Sequence, residues 1–133
     1  MLAHEHIAGT VLLVDRDPSV AHAIMDYLSK RAYATEWVDD GEKAFNVLDA
    51  RLFDILITEL NVPRVDGLRL MAVAKERNPD MCVIFIAPGA DIELATEAMR
   101  QGAYDFQSKP INLGKLEAVI QRGLEYQRLA RRQ

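Results

Sequence analysis

The sequence predicts an α/β fold, a doubly wound sandwich of five parallel strands and five helices. Three observations carry that prediction. Short, continuously apolar runs alternate strictly with longer stretches whose apolar residues recur at helical spacing. The apolar runs lack the in–out alternation of a half-exposed sheet, so both faces of the sheet are covered. The 133 residues, half of them hydrophobic and 27% charged, suffice for one domain with a full core. Right-handed crossovers then distribute the helices over both sides of the sheet.

The first strand is residues 11–14, Val-Leu-Leu-Val, too short for a helix and rich in β-branched valine. Asp17 has the chemistry of an N-cap and Pro18 suits the first helical position, with Val20, Ile24, Tyr27 and Leu28 following at helical spacing. Residues 34–38 form the second strand. Asp40 caps a helix whose apolar face is Ala44, Phe45, Val47 and Leu48. The third strand, 54–58, has Ile55, Leu56 and Ile57 as its core, and Asp66 starts a helix carrying Leu68, Leu70, Met71 and Val73. That helix ends before Asn78-Pro79, because a residue preceding proline is pushed out of the helical region. The fourth strand is 82–87. Asp91 caps a helix with Leu94, Ala95, Ala98 and Met99, and Gly102 suits its left-handed C-terminal position. A short fifth strand covers 104–107. From Asn112 a long amphipathic helix carries Leu116, Val119, Ile120 and Leu124.

Composition excludes several classes. The single cysteine, Cys82, rules out an internal disulfide framework and fits a reducing cytosol. No apolar run approaches the roughly 20 residues that span a bilayer, and His4, Glu5 and His6 interrupt the stretch where a signal peptide would be apolar. A cytoplasmic protein without a membrane segment is expected. The net charge of −4 is unevenly spread. Residues 1–110 hold 11 basic and 18 acidic side chains, a net of −7, whereas residues 111–133 hold 5 basic and 2 acidic, a net of +3. So small a basic cluster on an acidic chain argues against direct nucleic-acid binding.

Ligands of doubly wound sheets bind at the carboxyl ends of the strands. Here the first strand ends in Asp15-Arg16-Asp17, the third in Glu59 and the fourth in Ala87, while the fifth runs toward Lys109-Pro110. Acids from two strands and a lysine from a third converge on one pocket. A nucleotide site is excluded, since neither G-x-G-x-x-G nor G-x-x-x-x-G-K-[ST] occurs. A phosphatase of the haloacid-dehalogenase type would use Asp15 as nucleophile and Asp17 as its acid partner. That family also needs an acidic pair beyond its lysine, and past Lys109 only Glu117 and Glu125 occur, both inside the last helix.

The stretches VLLVDRDPSV, DILITELNVPRVDGL and VIFIAPGADIELATEAMRQGAYDFQSKP, with their spacing, resemble the receiver domain of two-component response regulators. The resemblance covers about nine tenths of the chain, and residues 91–110 are most similar to receivers of the sigma-54-activator type. It implies a flavodoxin-like (βα)5 sandwich with strand order 2-1-3-4-5, an N-terminal tail over 1–9, a receiver over 10–125 and a basic helical extension over 126–133. It also implies a site: two acids after the first strand for magnesium, a phosphoacceptor aspartate, a Thr or Ser at the fourth strand end, a switch aromatic, and a lysine before a cis proline.

Carried over residue by residue, much of that site is altered. Asp15 matches the first acid, but Arg16 stands at the metal-binding second. Glu59 stands at the phosphoacceptor, followed by Asp66-Gly67 as the family requires. Ala87 replaces the switch hydroxyl. Phe106 keeps the switch aromatic, and Lys109 and Pro110 are retained. Magnesium demands near-octahedral oxygen ligands, so a guanidinium at the site makes its binding weak or absent, and no metal or other cofactor is expected. Glu59 reaches one methylene further than aspartate, into phosphoryl space. These three changes together argue against phosphotransfer and for an atypical receiver, a protein-interaction module rather than an enzyme. Arg16 can replace the metal by pairing with Glu59, Asp15 or Asp17 while Lys109 holds Glu59 from the other side; the alternative is a solvated, inert charge cluster. A receiver still competent for phosphorylation is the other reading within the family.

The resemblance places partner contacts on the fourth helix, fifth strand and fifth helix, here residues 91–101, 104–107 and 112–124, with Tyr104, Phe106 and Leu116 as the apolar contacts. A homodimer and an output domain following Gln133 are the implied partners. The last helix, thinning in apolar residues past Leu124 while Arg122, Arg128, Arg131 and Arg132 accumulate, reads either as a linker or as a fraying end with favourable basic residues. Among the remaining features, His4 and His6 read as solvated rather than metal-binding, His22 as a surface residue, Cys82 as a small core residue and Trp37 as a packing residue. Met71, Met81 and Met99 read as core or surface filler.

Overall fold

The computed structural model describes residues 7–89 and 92–131. In chain order the elements are β1 (Gly9–Val14), α1 (Pro18–Ser29), β2 (Tyr33–Val38), α2 (Gly41–Ala50), β3 (Ile55–Glu59), β4 (Asn61–Val62), β5 (Val65–Asp66), α3 (Gly67–Arg77), β6 (Cys82–Pro88), α4 (Ile92–Arg100), β7 (Asp105–Lys109) and α5 (Leu113–Arg131). The main sheet is parallel and ordered β2-β1-β3-β6-β7, a flavodoxin-like arrangement that reads 2-1-3-4-5 when only its own strands are counted. The chain moves outward from β1 to β2, then returns to the other side of β1 with β3. The strand order therefore reverses between β1 and β3, and there the carboxyl ends splay open.

Successive strand residues point to opposite faces, and both faces are packed. Leu12, Val14, Leu56, Val83 and Phe85 join Ala44, Leu48, Leu70, Met71 and Ala98 in one core. Val11, Leu13, Ile55, Ile57, Ile84 and Ile86 join Ala21, Ile24, Leu28, Leu116, Val119 and Ile120 in the other. That double burial is why these strands read as continuous apolar runs. The edge strand β7 is more polar (Asp105, Gln107 and Ser108), as suits an exposed edge.

Side chains close the helix starts. Asp17 accepts from the Ser19 N–H at 2.9 Å, Asp40 from Lys43 at 2.8 Å and Asp66 from Leu68 at 2.8 Å. Asn112 accepts from Lys115 at 2.9 Å. Gly102 has φ 113 after α4, the region glycine tolerates best. The Asp91 cap, His4, His6, Arg132 and Gln133 lie outside the described residues.

Four findings differ from the sequence expectation. The ribbon β4–β5 is new; it turns through Pro63-Arg64, with Arg64 at φ 75. The fifth sheet strand begins after Tyr104 and extends to Lys109, so the lysine is held by the sheet rather than by a loop. Leu116 is not a surface contact. It is fully buried, because α5 packs on the sheet through Leu116, Val119, Ile120 and Gly123, which fall on one helical face. Finally, past residue 125 the helix stays against the body: Gln127 is buried there with its side-chain amide hydrogen-bonded. Among the described residues no helix is long and apolar enough to cross a membrane.

Candidate functional site

Because β1 and β3 run side by side in the same direction, they deliver Asp15 and Glu59 to one spot beyond their carboxyl ends. Both are buried, Asp15 completely. Lys109 approaches from the last residue of β7, two strands away, and its side chain is only 19% exposed. Its Nζ lies 3.2 Å from Asp15 Oδ2 and 3.3 Å from Glu59 Oε2, so one ammonium bridges the two carboxylates. The peptide bond that follows, Lys109–Pro110, is cis.

Arg16 holds the other side of Glu59. Its backbone N–H donates to Oε1 at 2.9 Å and its Nε approaches the same oxygen at 3.4 Å. Its Nη2 donates to the carbonyl of Asn61 at 2.5 Å, tying the end of β1 to the start of the ribbon. The Arg16 side chain is 57% exposed, so it lies across the mouth of the pocket with one edge in water. Asp17 is occupied elsewhere, as the cap of α1, accepting from both the N–H and the hydroxyl of Ser19. These Ser19 bonds hold its carboxyl below the usual range.

The electrostatics follow from this packing. Burial pushes the Asp15 carboxyl up and Glu59 adds to that, against the Asp17 N–H that donates to Oδ1 at 2.8 Å and against Lys109. For Lys109, burial alone would lower the ammonium; Asp15 and Glu59 together outweigh it and raise the group above its ordinary value. Asp15 Oδ2 lies near Nζ yet receives no aligned hydrogen bond. The Asp15 carbonyl accepts from Trp37 Nε1 at 2.8 Å, and His22 meets the Trp37 ring edge-on, with centroids 5.4 Å apart.

Ala87, next to last in β6, is buried beside Glu59's strand with only a methyl group to offer. Phe106 pairs in register with Phe85 and packs half-buried against the core. Tyr104 is half-buried, its ring 6.3 Å from that of Tyr126 on α5. Among the described residues no three His, Cys, Asp or Glu side chains converge as metal ligands.

The family model of the response regulator receiver domain matches residues 11–121. The chain belongs to this receiver family. The receiver is similar to the nitrogen assimilation regulatory protein NtrX of Azorhizobium caulinodans, 32% identical over 127 residues that span 94% of this chain and 28% of that protein. It superposes on the crystal structure of NtrX from Brucella abortus with a TM-score of 0.87 at 30% identity, covering 94% of this chain and 28% of that one. The signal receiver domain of an HD-domain-containing protein from Pseudomonas fluorescens Pf-5 gives a TM-score of 0.86 at 26% identity, covering 99% and 98%. The receiver thus spans about a quarter of the length of the NtrX and NtrC relatives it matches.

Two residues at the receiver's site went unassigned to it in the sequence, Asn61 without a role and Trp37 as a packing residue only. The Asn61 carbonyl is a backbone atom, and the direction of a backbone carbonyl has no residue-type signature. Trp37 had one available signal: in a 2-1-3 sheet the end of β2 lies beside the end of β1, so an aromatic N–H there meets the Asp15 backbone.

Proposed function

We propose that this receiver is a regulatory protein-interaction module that works without phosphotransfer, its site held in one arrangement by Arg16 and Lys109. The observation that carries this is the double grip on Glu59. Oε1 receives the backbone N–H and the guanidinium of Arg16, while Oε2 faces Lys109. In the receiver family an aspartate at this position accepts the phosphoryl group, with magnesium beside it. Glu59 fills that space with its own carboxylate and pairs both oxygens with cations. A solvated, disengaged charge cluster would leave those oxygens to water, so the contacts favour a held site.

The donor set does not fit magnesium. The ion needs several oxygens at about 2.0–2.1 Å in octahedral array; here the orphan oxygen Asp15 Oδ2 has the Lys109 ammonium 3.2 Å away, and the other candidates are Glu59 Oε1 and the Asn61 carbonyl. Both are taken by the guanidinium of Arg16, which carries its positive charge into the same place. Ala87 adds no hydroxyl that a phosphoryl oxygen could engage. The phosphatase alternative needs Asp15 and Asp17 to face one substrate, and Asp17 instead caps α1. The output belongs to α4, β7 and α5, where Ile92 (78% exposed), Met99 and Tyr126 present apolar surface to a protein partner, a second copy or an output domain. Tyr104 backs that surface through its ring contact with Tyr126, and Phe106 packs on the core from β7.

The test is incubation of the purified chain with acetyl phosphate and Mg2+, followed by intact-mass measurement. The unmodified mass is the expected result. A stoichiometric phosphoryl adduct overturns the proposal in favour of a phosphorylation-competent receiver.

A further inference from the structure

The family match ends at residue 121, but α5 continues to Arg131, and the two halves of that helix are held by different chemistry. Up to Gly123 the buried face is apolar: Leu116, Val119 and Ile120 sit in the core. Beyond Leu124, which still packs half-buried on that core, the buried side chain is polar. Gln127 is 4% exposed, and its Nε2 donates to the carbonyls of Asp54 at 3.1 Å and Asp80 at 2.8 Å, just before β3 and β6. Arg131 adds an exposed contact to Asp80 at 3.5 Å. Open clefts of about 330 and 500 Å³ flank this half of the helix, and Gln127 lines both. The distal turns are therefore fastened by one buried polar side chain, Gln127, helped by the exposed contacts of Arg131 and Tyr126, with space on either side.

We infer that residues 125–131 form a latched arm, hinged at Gly123 with Leu124 left on the core, and fastened by Gln127, that undocks while the domain stays folded. Glycine is the poorest helix former apart from proline, and it falls where apolar packing gives way to the latch. Releasing the latch costs little, because the amide and both carbonyls exchange protein hydrogen bonds for water and little apolar surface is uncovered. Local openings of this kind lie well below global unfolding. Opening removes Tyr126, Gln127 and Ala130 from one wall of the smaller cleft, whose opposite wall includes Cys82.

Cys82 is the chain's single cysteine, so its labelling reads the opening directly. The rate at which a disulfide reagent labels the folded protein is compared for wild type, Gln127→Ala and Leu48→Ala; the last weakens the opposite core, far from the arm. The latch predicts labelling of Gln127→Ala about 10-fold or more faster than wild type, with Leu48→Ala within about 2-fold of wild type despite lower global stability. Equal rates for Gln127→Ala and wild type, or an equal acceleration in Leu48→Ala, overturn it. Should Gln127→Ala fail to fold, Arg131→Ala loosens the same arm from an exposed position; it must then label faster than wild type, and no change overturns the latch.

Discussion

Arg16 and Lys109 bear the same charge on the same carboxylate, yet burial separates what each contributes. Lys109 is the cation between two buried acids, and removing it leaves Asp15 and Glu59 to repel each other away from water. Lys109→Met should cost about 3–5 kcal/mol, the range for stranding a buried charge. Arg16→Ala keeps the backbone N–H on Glu59 and loses a half-exposed pair, so about 1 kcal/mol or less is expected. Urea midpoints at pH 7 rank the two, and equal losses would contradict this account. The pH dependence has a defined sign at Asp15. Its carboxyl is raised in the folded state, so the native protein binds the proton more readily than the unfolded chain. Wild type should gain stability relative to Asp15→Asn as pH falls from neutral through the raised value toward 3.8, and the two should run parallel below that. Lys109 acts at the other end: its raised pKa gives stability that is complete below 10.5 and lost as pH climbs through the folded value. Which residues meet at the site was legible at this scale, because strand ends converge by topology. Which atoms meet was not: the sequence left Glu59, Asp15 and Asp17 open to Arg16, and the guanidinium instead divides between Glu59 and a main-chain carbonyl.

The elements were the most legible level, since each reports a local physical rule. Apolar runs marked the buried strands, and Asp17, Asp40 and Asp66 marked helix starts through their capping chemistry. The ribbon β4–β5 escaped because two-residue strands have no periodicity to read. Leu116 was assigned to the wrong side of α5 because a stripe of leucines fixes which residues share a face but not what that face meets. Gln127 escaped for the opposite reason: a polar residue among arginines reads as solvated, and only the fold brings two main-chain carbonyls to it. α5 also carries a test of packing at Gly123. A Cβ there would lie 2.4 Å from Cys82 Sγ and 3.3 Å from Cys82 Cβ, so the helix and β6 touch through the missing side chain. Helix propensity alone favours Gly123→Ala by about 1 kcal/mol. Overpacking costs about 1–3 kcal/mol and should win. The sign reverses if the obstruction is removed, so Cys82→Ala combined with Gly123→Ala should recover most of the loss. Thermal unfolding of both single variants and the double measures that coupling. With α5 docked, burial pushes the thiol up to about 12 and keeps it protonated.

Across the whole molecule, charge is organised by contact rather than by segment. The basic stretch after residue 110 looks separate from the acidic body in sequence, but Arg131 pairs with Asp80, and Glu117 on the same helix pairs with Arg31 of the body. At the opposite end of the sheet the acids are matched by Arg16 and Lys109. A receiver of the phosphate-responsive kind leaves a carboxylate site open to a cation and links it to the surface through a hydroxyl. Those two requirements map onto different residues here and can be restored separately. Arg16→Asp with Glu59→Asp removes the guanidinium and shortens the central carboxylate, leaving three acids around the Asn61 carbonyl. This double variant should bind Mg2+ and take up one phosphoryl group from acetyl phosphate. Trp37, the chain's single tryptophan, donates to the Asp15 carbonyl, so its fluorescence should respond to Mg2+ in the variant and not in wild type. With Ala87 still lacking a hydroxyl, the phosphoryl group has no donor at the end of β6, and Phe106 has no reason to move. Hydrogen exchange over residues 92–109 should therefore stay unchanged on phosphorylation of the double variant and change only when Ala87→Thr is added. A change without Ala87→Thr would show that the site reaches the surface by another route, through Lys109 and β7.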